Sequence, residues 1–194
     1  AKQIHQFSIA FFLHNSLCNL HSIISIRQWP INVALYRETF MHNFEAYIKD
    51  LPVEKGNYLL FFQITQEVTV EIGSLGRQIF PAGVYVYAGS ALGPGGIRAR
   101  VKHHLKPSPK PHWHLDYLKS HIEWLVVGWT VTDERMECIW THTLVEHNTS
   151  VPVNRFGASD CQQHCPAHLL RIDQTTQEVL TKLNILQFLS FNNL

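Results

Sequence analysis

Charge is scarce in this chain. Asp, Glu, Lys and Arg together make up 16% of its 194 residues, and the formal net charge is only +1. That balance alone points to neither a nucleic-acid nor a membrane partner. Cysteine is sparse too: Cys18, Cys138, Cys161 and Cys165 are too few and too irregularly spaced for a disulfide framework. A reducing, cytoplasmic setting is therefore expected. No apolar run approaches the ~20 residues needed to cross a bilayer. The stretch Phe7–Leu13 is apolar but short, and no small-residue cleavage site follows it. Internal repeats and low-complexity tracts are also lacking. What remains is a globular composition, 45% apolar, of a length that suits one compact domain with extensions.

The few charges are unevenly placed. Between Gly83 and His121 stand Arg98, Arg100, Lys102, Lys106, Lys110 and Lys119 against the single acid Asp116. His103, His104, His112, His114 and His121 crowd the same stretch. A local cationic surface in a nearly neutral protein predicts an anionic ligand met at one face.

Residues 1–50 read as an N-terminal extension. Residues 1–40 show neither helical nor strand periodicity, and Met41 stands just before the first strong pattern. Two readings are open: a start at Met41, or an N-terminal helical appendage packed on the domain. The domain itself is expected over 51–172. NYLLFFQIT reads as a buried strand and EVTVEIG as an alternating one. A third strand falls at about Val84–Ala88. Pro94-Gly95-Gly96 breaks the chain, and IRARVKHHLK has helical texture with Ile97, Val101 and Leu105 on one stripe. HWHLDYLKSH reads as a short helix, IEWLVVGWTV as an apolar strand, and Asp133 as the N-cap of a helix over ERMECIWTHTLVEHN. Residues 173–194 read as a C-terminal helical extension. The expected class is α+β: a small mixed, largely antiparallel sheet flanked by helices.

Chemistry concentrates in YVYAGSALGPGGIRARVKHHL. Tyr85 and Tyr87 are two apart, so on a strand they share a face. Arg100 and His104 are four apart, so on a helix they share a face. A strand-end tyrosine facing a helix-borne arginine and histidine suits phosphate: the guanidinium grips two oxygens and offsets charge developing on phosphorus. The plainer alternative is a core tyrosine and a solvated basic helix.

In these segments the chain resembles the GIY-YIG nucleases. Gly56-Asn57-Tyr58 is similar to the first element of that name, Tyr87-Ala88-Gly89 to the second, and GIRARVKHHL to the family's arginine helix. The blocks Gly89–Gly96, His112–Leu118 and Phe156–Leu169 are similar to the Uri-superfamily endonuclease branch. The resemblance covers roughly residues 56–170. Here Tyr58 and Tyr87 are separated by an intervening strand pair, as in that branch.

The resemblance implies a metal-dependent endonuclease that hydrolyses phosphodiester bonds in nucleic acid, with DNA the expected substrate. Its catalytic residues would be Tyr58, Tyr87, Arg100, His104 and Glu137. Glu137 would hold Mg²⁺ or Mn²⁺, with Glu123 and Glu146 as substitutes. Arg98, Lys102, Lys106, Lys110, His112 and His114 would contact the nucleic acid. No second recognition domain stands in the sequence, so a protein partner is expected to help select the substrate. A different class of reading keeps the basic face without turnover: a nucleic-acid-binding module, zinc-stabilised in one form. Cys161, Cys165 and His168 are ligand-type residues that a zinc ion could join, with His112 or His114 as a further ligand. A packed loop with buried thiols is favoured over zinc.

Overall fold

The structure is a computed structural model and describes residues 33–147 and 149–191. Most of what lies upstream of Met41, residues 1–32, falls outside the described residues. Helix α1 runs Val33–Lys49 and passes through Met41 without a break. Phe40, Phe44 and Ile48, four apart, form its buried stripe. Phe40 meets Phe191 edge-on at 5.4 Å, and the Tyr47 hydroxyl donates to the Phe191 carbonyl at 3.3 Å. The helix is thus packed from Phe40 onward, and it begins earlier than the sequence suggested.

The central strand is β1 (Gly56–Ile64), antiparallel to both β4 (Gly83–Ala91) and β5 (Glu123–Val131). Its unbroken apolar run has a simple cause. Tyr58, Leu60, Phe62 and Ile64 bury one face beneath α1 and α2 (Gly96–Leu105), while Leu59 and Phe61 bury the other beneath α3 (Glu137–Val145) and α4 (Thr176–Lys182). A strand covered on both faces needs apolar residues at every position. Between β1 and β4, β2 (Val68–Ile72) and β3 (Gly76–Phe80) form a separate two-stranded sheet. This is the strand pair expected between the two tyrosines; β3 itself was hidden in the run toward Val84.

The main sheet has the order β6-β7-β4-β1-β5-β8, with β6 (Thr149–Ser150), β7 (Leu169–Ile172) and β8 (Gln187–Ser190). Its pairings are antiparallel, and the architecture is α+β as expected. Beyond residue 172 the structure departs from the expected helical extension. Val179 and Leu180 of α4 join the core, and β8 extends the sheet beside β5. HWHLDYLKSH forms only a short 3₁₀ turn, His114–Tyr117, and α3 starts at Glu137 with Met136, not Asp133, at its cap. No helix among the described residues is long and apolar enough to cross a membrane.

Candidate functional site

The site forms where α2 crosses the sheet over β1 and β4. Tyr58 and Gly89 are register partners. A Cβ at Gly89 would collide with the Tyr58 ring and hydroxyl, so glycine is required for the tyrosine to lie across β4. The buried Tyr58 hydroxyl is 2.8 Å from His104 Nε2. The Tyr87 ring meets the same imidazole edge-on at 5.7 Å. Of the two tyrosines on β4, Tyr87 is therefore the one at the site. Tyr85 is fully buried, and its hydroxyl donates to the Pro81 carbonyl at 2.6 Å.

Burial sets the protonation of this group. It pushes the Tyr58 hydroxyl well above its ordinary range, and Tyr87 and Glu137 push the same way while Arg100 opposes them. Burial likewise raises Tyr87 to about 12, against Arg100 and helped by Asp160, Asp116 and Glu137. His104 is driven down to about 3, by burial first and then by Lys119 and His103. At neutral pH all three side chains are uncharged.

Arg100 lies one turn before His104, and its guanidinium packs 4.6 Å from the centre of the Trp113 ring. Trp113 in turn meets His104 at 5.1 Å and His103 at 4.1 Å. The HWHLDYL segment is built around Asp116. Its Oδ2 accepts from the backbone N–H groups of His112 and Trp113 at 3.0 Å each, and Lys119 Nζ lies 2.6 Å from Oδ1. Burial opposes ionisation of Asp116, yet the Lys119 and backbone hydrogen bonds hold it down at about 2. His114 Nδ1 accepts the Gly157 N–H at 2.9 Å. Gly157, at φ +72°, lies so close to Tyr87 that a Cβ there would be 2.7 Å from its ring. The segment thus positions Arg100 through Trp113 and Tyr87 through Gly157.

Glu137 arrives from the opposite layer. Helix α3 packs on the far face of the sheet through Trp140 and Leu144, and its first residue, Glu137, is buried. Asn57, fully buried on β1, fixes that helix start: its Nδ2 donates to the Glu134 carbonyl at 2.7 Å and its Oδ1 accepts the Met136 N–H at 3.0 Å. Arg135 Nη1 bridges Glu137 Oε1 at 3.1 Å and Ser90 Oγ at 3.3 Å. Glu137 Oε2 is buried and has no hydrogen-bond partner among the described residues. An orphaned carboxylate oxygen suits the single-carboxylate Mg²⁺ or Mn²⁺ site that the resemblance implies. The substitute acids lie elsewhere. Glu123 pairs with Gln63, five residues along β1 from Tyr58 and so roughly 17 Å away, and Glu146 caps the other end of α3.

The expected cationic face divides in two. Arg98, Lys102 and Lys106 lie four apart, on a stripe of α2 that turns toward α1 rather than the tyrosines. Arg98 donates to the carbonyls of Leu51 at 2.7 Å and Lys49 at 3.0 Å, which gives it a structural task in place of a phosphate. Lys102 pairs with Glu45 at 3.3 Å, and Lys106 Nζ sits 5.9 Å over the Phe44 ring. Lys110 and His112 are exposed, while His114 is occupied by Gly157.

A second group gathers beside Glu137. The Sγ atoms of Cys138, Cys161 and Cys165 and a ring nitrogen of His168 all lie within 4.8 Å of one another, a Cys₃His cluster that could hold a metal ion. Three of its members were singled out in the sequence. The fourth is Cys138 on α3 rather than His112 or His114, and no local spacing links it to the others. The sequence reading also missed Asn57, Trp113, Arg135 and Gly157. Of these only Asn57 carried a signal, as a polar residue opening an otherwise apolar strand.

No curated protein and no solved structure matches this chain. A family model described as a domain of unknown function, DUF123, matches residues 57–189, which takes in both tyrosines, the arginine helix, Glu137 and the cysteine cluster. The chain therefore belongs to the DUF123 family.

Proposed function

We propose that this chain is a metal-dependent endonuclease that hydrolyses phosphodiester bonds, in DNA foremost, by a GIY-YIG-type mechanism. The observation that carries the reading is the convergence on His104 of both tyrosines, whose hydroxyls both feel Arg100 and Glu137. With the His104 proton on Nε2, the imidazole donates to the Tyr58 oxygen, which keeps a lone pair free for a water. Tyr58 loses its own proton to solvent, and the tyrosinate takes a proton from that water as the water oxygen attacks phosphorus. The bond to the leaving oxygen breaks, and that oxygen takes a proton from solvent. Both tyrosines start neutral, so the step needs positive charge nearby to favour the Tyr58 anion. Arg100, packed over Trp113, supplies it and offsets the charge that builds on the phosphoryl oxygens. Tyr87 closes the other side of His104 and excludes water. A Mg²⁺ or Mn²⁺ on Glu137 would add Lewis-acid stabilisation of the leaving oxygen.

Support for nucleic acid as the substrate rests on Arg100, Lys110 and His112, since Arg98 and Lys102 are engaged within the protein. Affinity should accordingly fall with salt, but with the slope of a few phosphate contacts rather than of the whole basic stretch. Selection among substrates by a protein partner fits so short a footprint. The test is a panel of end-labelled linear duplex, fork and flap DNA, and matching RNA, incubated with Mg²⁺, Mn²⁺ or EDTA. Cleavage of at least one substrate in either metal and none in EDTA is expected. Metal-independent cleavage, or binding without cleavage on every substrate, would overturn the proposal; the second result would favour a binding module.

A further inference from the structure

The Cys₃His cluster is assembled from three places. Cys138 is the second residue of α3, Cys161 and Cys165 lie in the connection between β6 and β7, and His168 immediately precedes β7. The observed separations are 3.5 Å between the Cys138 and Cys161 sulfurs and 3.7 Å from the Cys138 sulfur to His168 Nε2. Bond lengths of about 2.3 Å to sulfur and about 2.0 Å to nitrogen place tetrahedral zinc ligands about 3.8 Å apart for a sulfur pair and about 3.5 Å for sulfur and nitrogen. Both of these separations lie within about 0.3 Å of those edges, and the four ligand atoms all lie within 4.8 Å of one another. A disulfide would require sulfurs at about 2.05 Å, and ordinary thiol packing gives no reason for three sulfurs and a ring nitrogen to point at one spot.

The surroundings are those of a ligand set. The Cys161 sulfur is hydrogen-bonded by the backbone N–H groups of Gln163 and Cys165. The His168 ring hydrogen-bonds the Gly157 backbone while its Nε2 faces Cys138, the outer contact that orients a metal-bound imidazole. Residues 151–168 contain no helix or strand, and Arg155, His164 and Gly157 all have positive φ. Irregular segments of this length are uncommon in compact domains and usually carry a function.

We propose that Cys138, Cys161, Cys165 and His168 hold one Zn²⁺ ion as a closed, structural tetrahedral site. Three thiolates and an imidazole select zinc over the hard cations suited to Glu137, and four protein ligands leave no position for water or substrate. The ion pins the first turn of α3, which carries Glu137, to the loop whose Gly157 packs on Tyr87. One surface pocket is lined by Glu137, Cys138, Asp160, Cys161 and His168, so the two sites share a wall. The zinc site stands whether or not the chain cleaves nucleic acid.

The experiment uses the full chain, purified without chelator. Elemental analysis should find one zinc per chain. Replacement by Co²⁺ should give the intense visible bands of tetrahedral cobalt with thiolate charge transfer in the near ultraviolet, and a mercurial reagent should release the metal as the thiols react. Cys138→Ala should weaken zinc binding at least about tenfold. His168→Cys should keep the metal and shift the cobalt bands, which separates loss of a ligand from loss of the fold. His142, whose Nε2 lies 3.6 Å from the Cys165 sulfur, is the competing imidazole, and His142→Ala should leave metal content and spectrum unchanged. Metal-free protein that stays metal-free with stoichiometric zinc, a weak octahedral cobalt spectrum, or metal retained by Cys138→Ala with an unaltered spectrum would each overturn the proposal.

Discussion

Asn57 is the least conspicuous residue on which the site depends, and replacing it tests the geometry directly. Its side chain is fully buried and satisfies two backbone groups, the Glu134 carbonyl at 2.7 Å and the Met136 N–H at 3.0 Å. Alanine leaves both partly buried groups without this partner at about 1–3 kcal/mol each, so Asn57→Ala should lose about 2–6 kcal/mol in equilibrium denaturation. Asn57→Asp discriminates further. A carboxylate still accepts from Met136 but faces the Glu134 carbonyl with no proton to offer. The folded state therefore raises the pKa of this aspartate above its unfolded value of about 3.9. A raised acid loses stability as pH rises from the unfolded toward the folded pKa, so its deficit against wild type should shrink from pH 8 to pH 5. Both variants should lose activity along with stability, because the start of α3 carries Glu137. Asn57→Ala within about 0.5 kcal/mol of wild type, or Asn57→Asp with a deficit independent of pH, would refute the anchoring role.

Other outcomes follow from the same contacts. His104 falls from about 6.5 unfolded to about 3 folded, so the native state resists its protonation; at pH 5 it should cost about 2 kcal/mol of stability relative to pH 8, and His104→Gln should flatten that acid slope in guanidinium titrations. Arg100→Ala should reduce kcat by about 10²–10³ with a smaller change in binding, read from single-turnover cleavage and filter binding. A chain beginning at Met41 loses Phe40 and the start of α1; it should melt lower by the equivalent of about 3 kcal/mol, the cost of an emptied aromatic site, in calorimetry against a chain beginning at Val33. Gly89→Ala should lose activity more than fold, because the new methyl displaces the Tyr58 ring from His104.

Much of the site is legible in the sequence because its residues are close in the chain. Tyr87, Gly89, Arg100 and His104 lie on one strand and the helix that follows, and the periods of those elements decide which of them share a face. Glu137, Cys138 and Asn57 meet this group only through the pairing of distant segments, and no local period records that. The same distinction explains α1 and β8. The Phe40, Phe44 and Ile48 stripe is helical, but it is interleaved with polar residues and starts among text without pattern. In LNILQFL the local texture suits a helix, and only the open edge of β5 makes a strand of Gln187–Ser190. The basic stretch was misread for the opposite reason. Composition locates cations, but only packing reveals that the Arg98–Lys102–Lys106 stripe faces α1.

The central claim is that Glu137 and the tyrosine pair form one hydrolytic site. Its most direct test is single-turnover cleavage by wild type and Glu137→Gln, with Mg²⁺, on the best substrate of the panel. The substitution removes the charge but keeps the shape and the contact with Arg135. The account predicts that cleavage falls by at least about 10²-fold while affinity for the substrate is unchanged or slightly tighter, since one negative charge near a polyanion is gone. Cleavage by Glu137→Gln at the wild-type rate would contradict it.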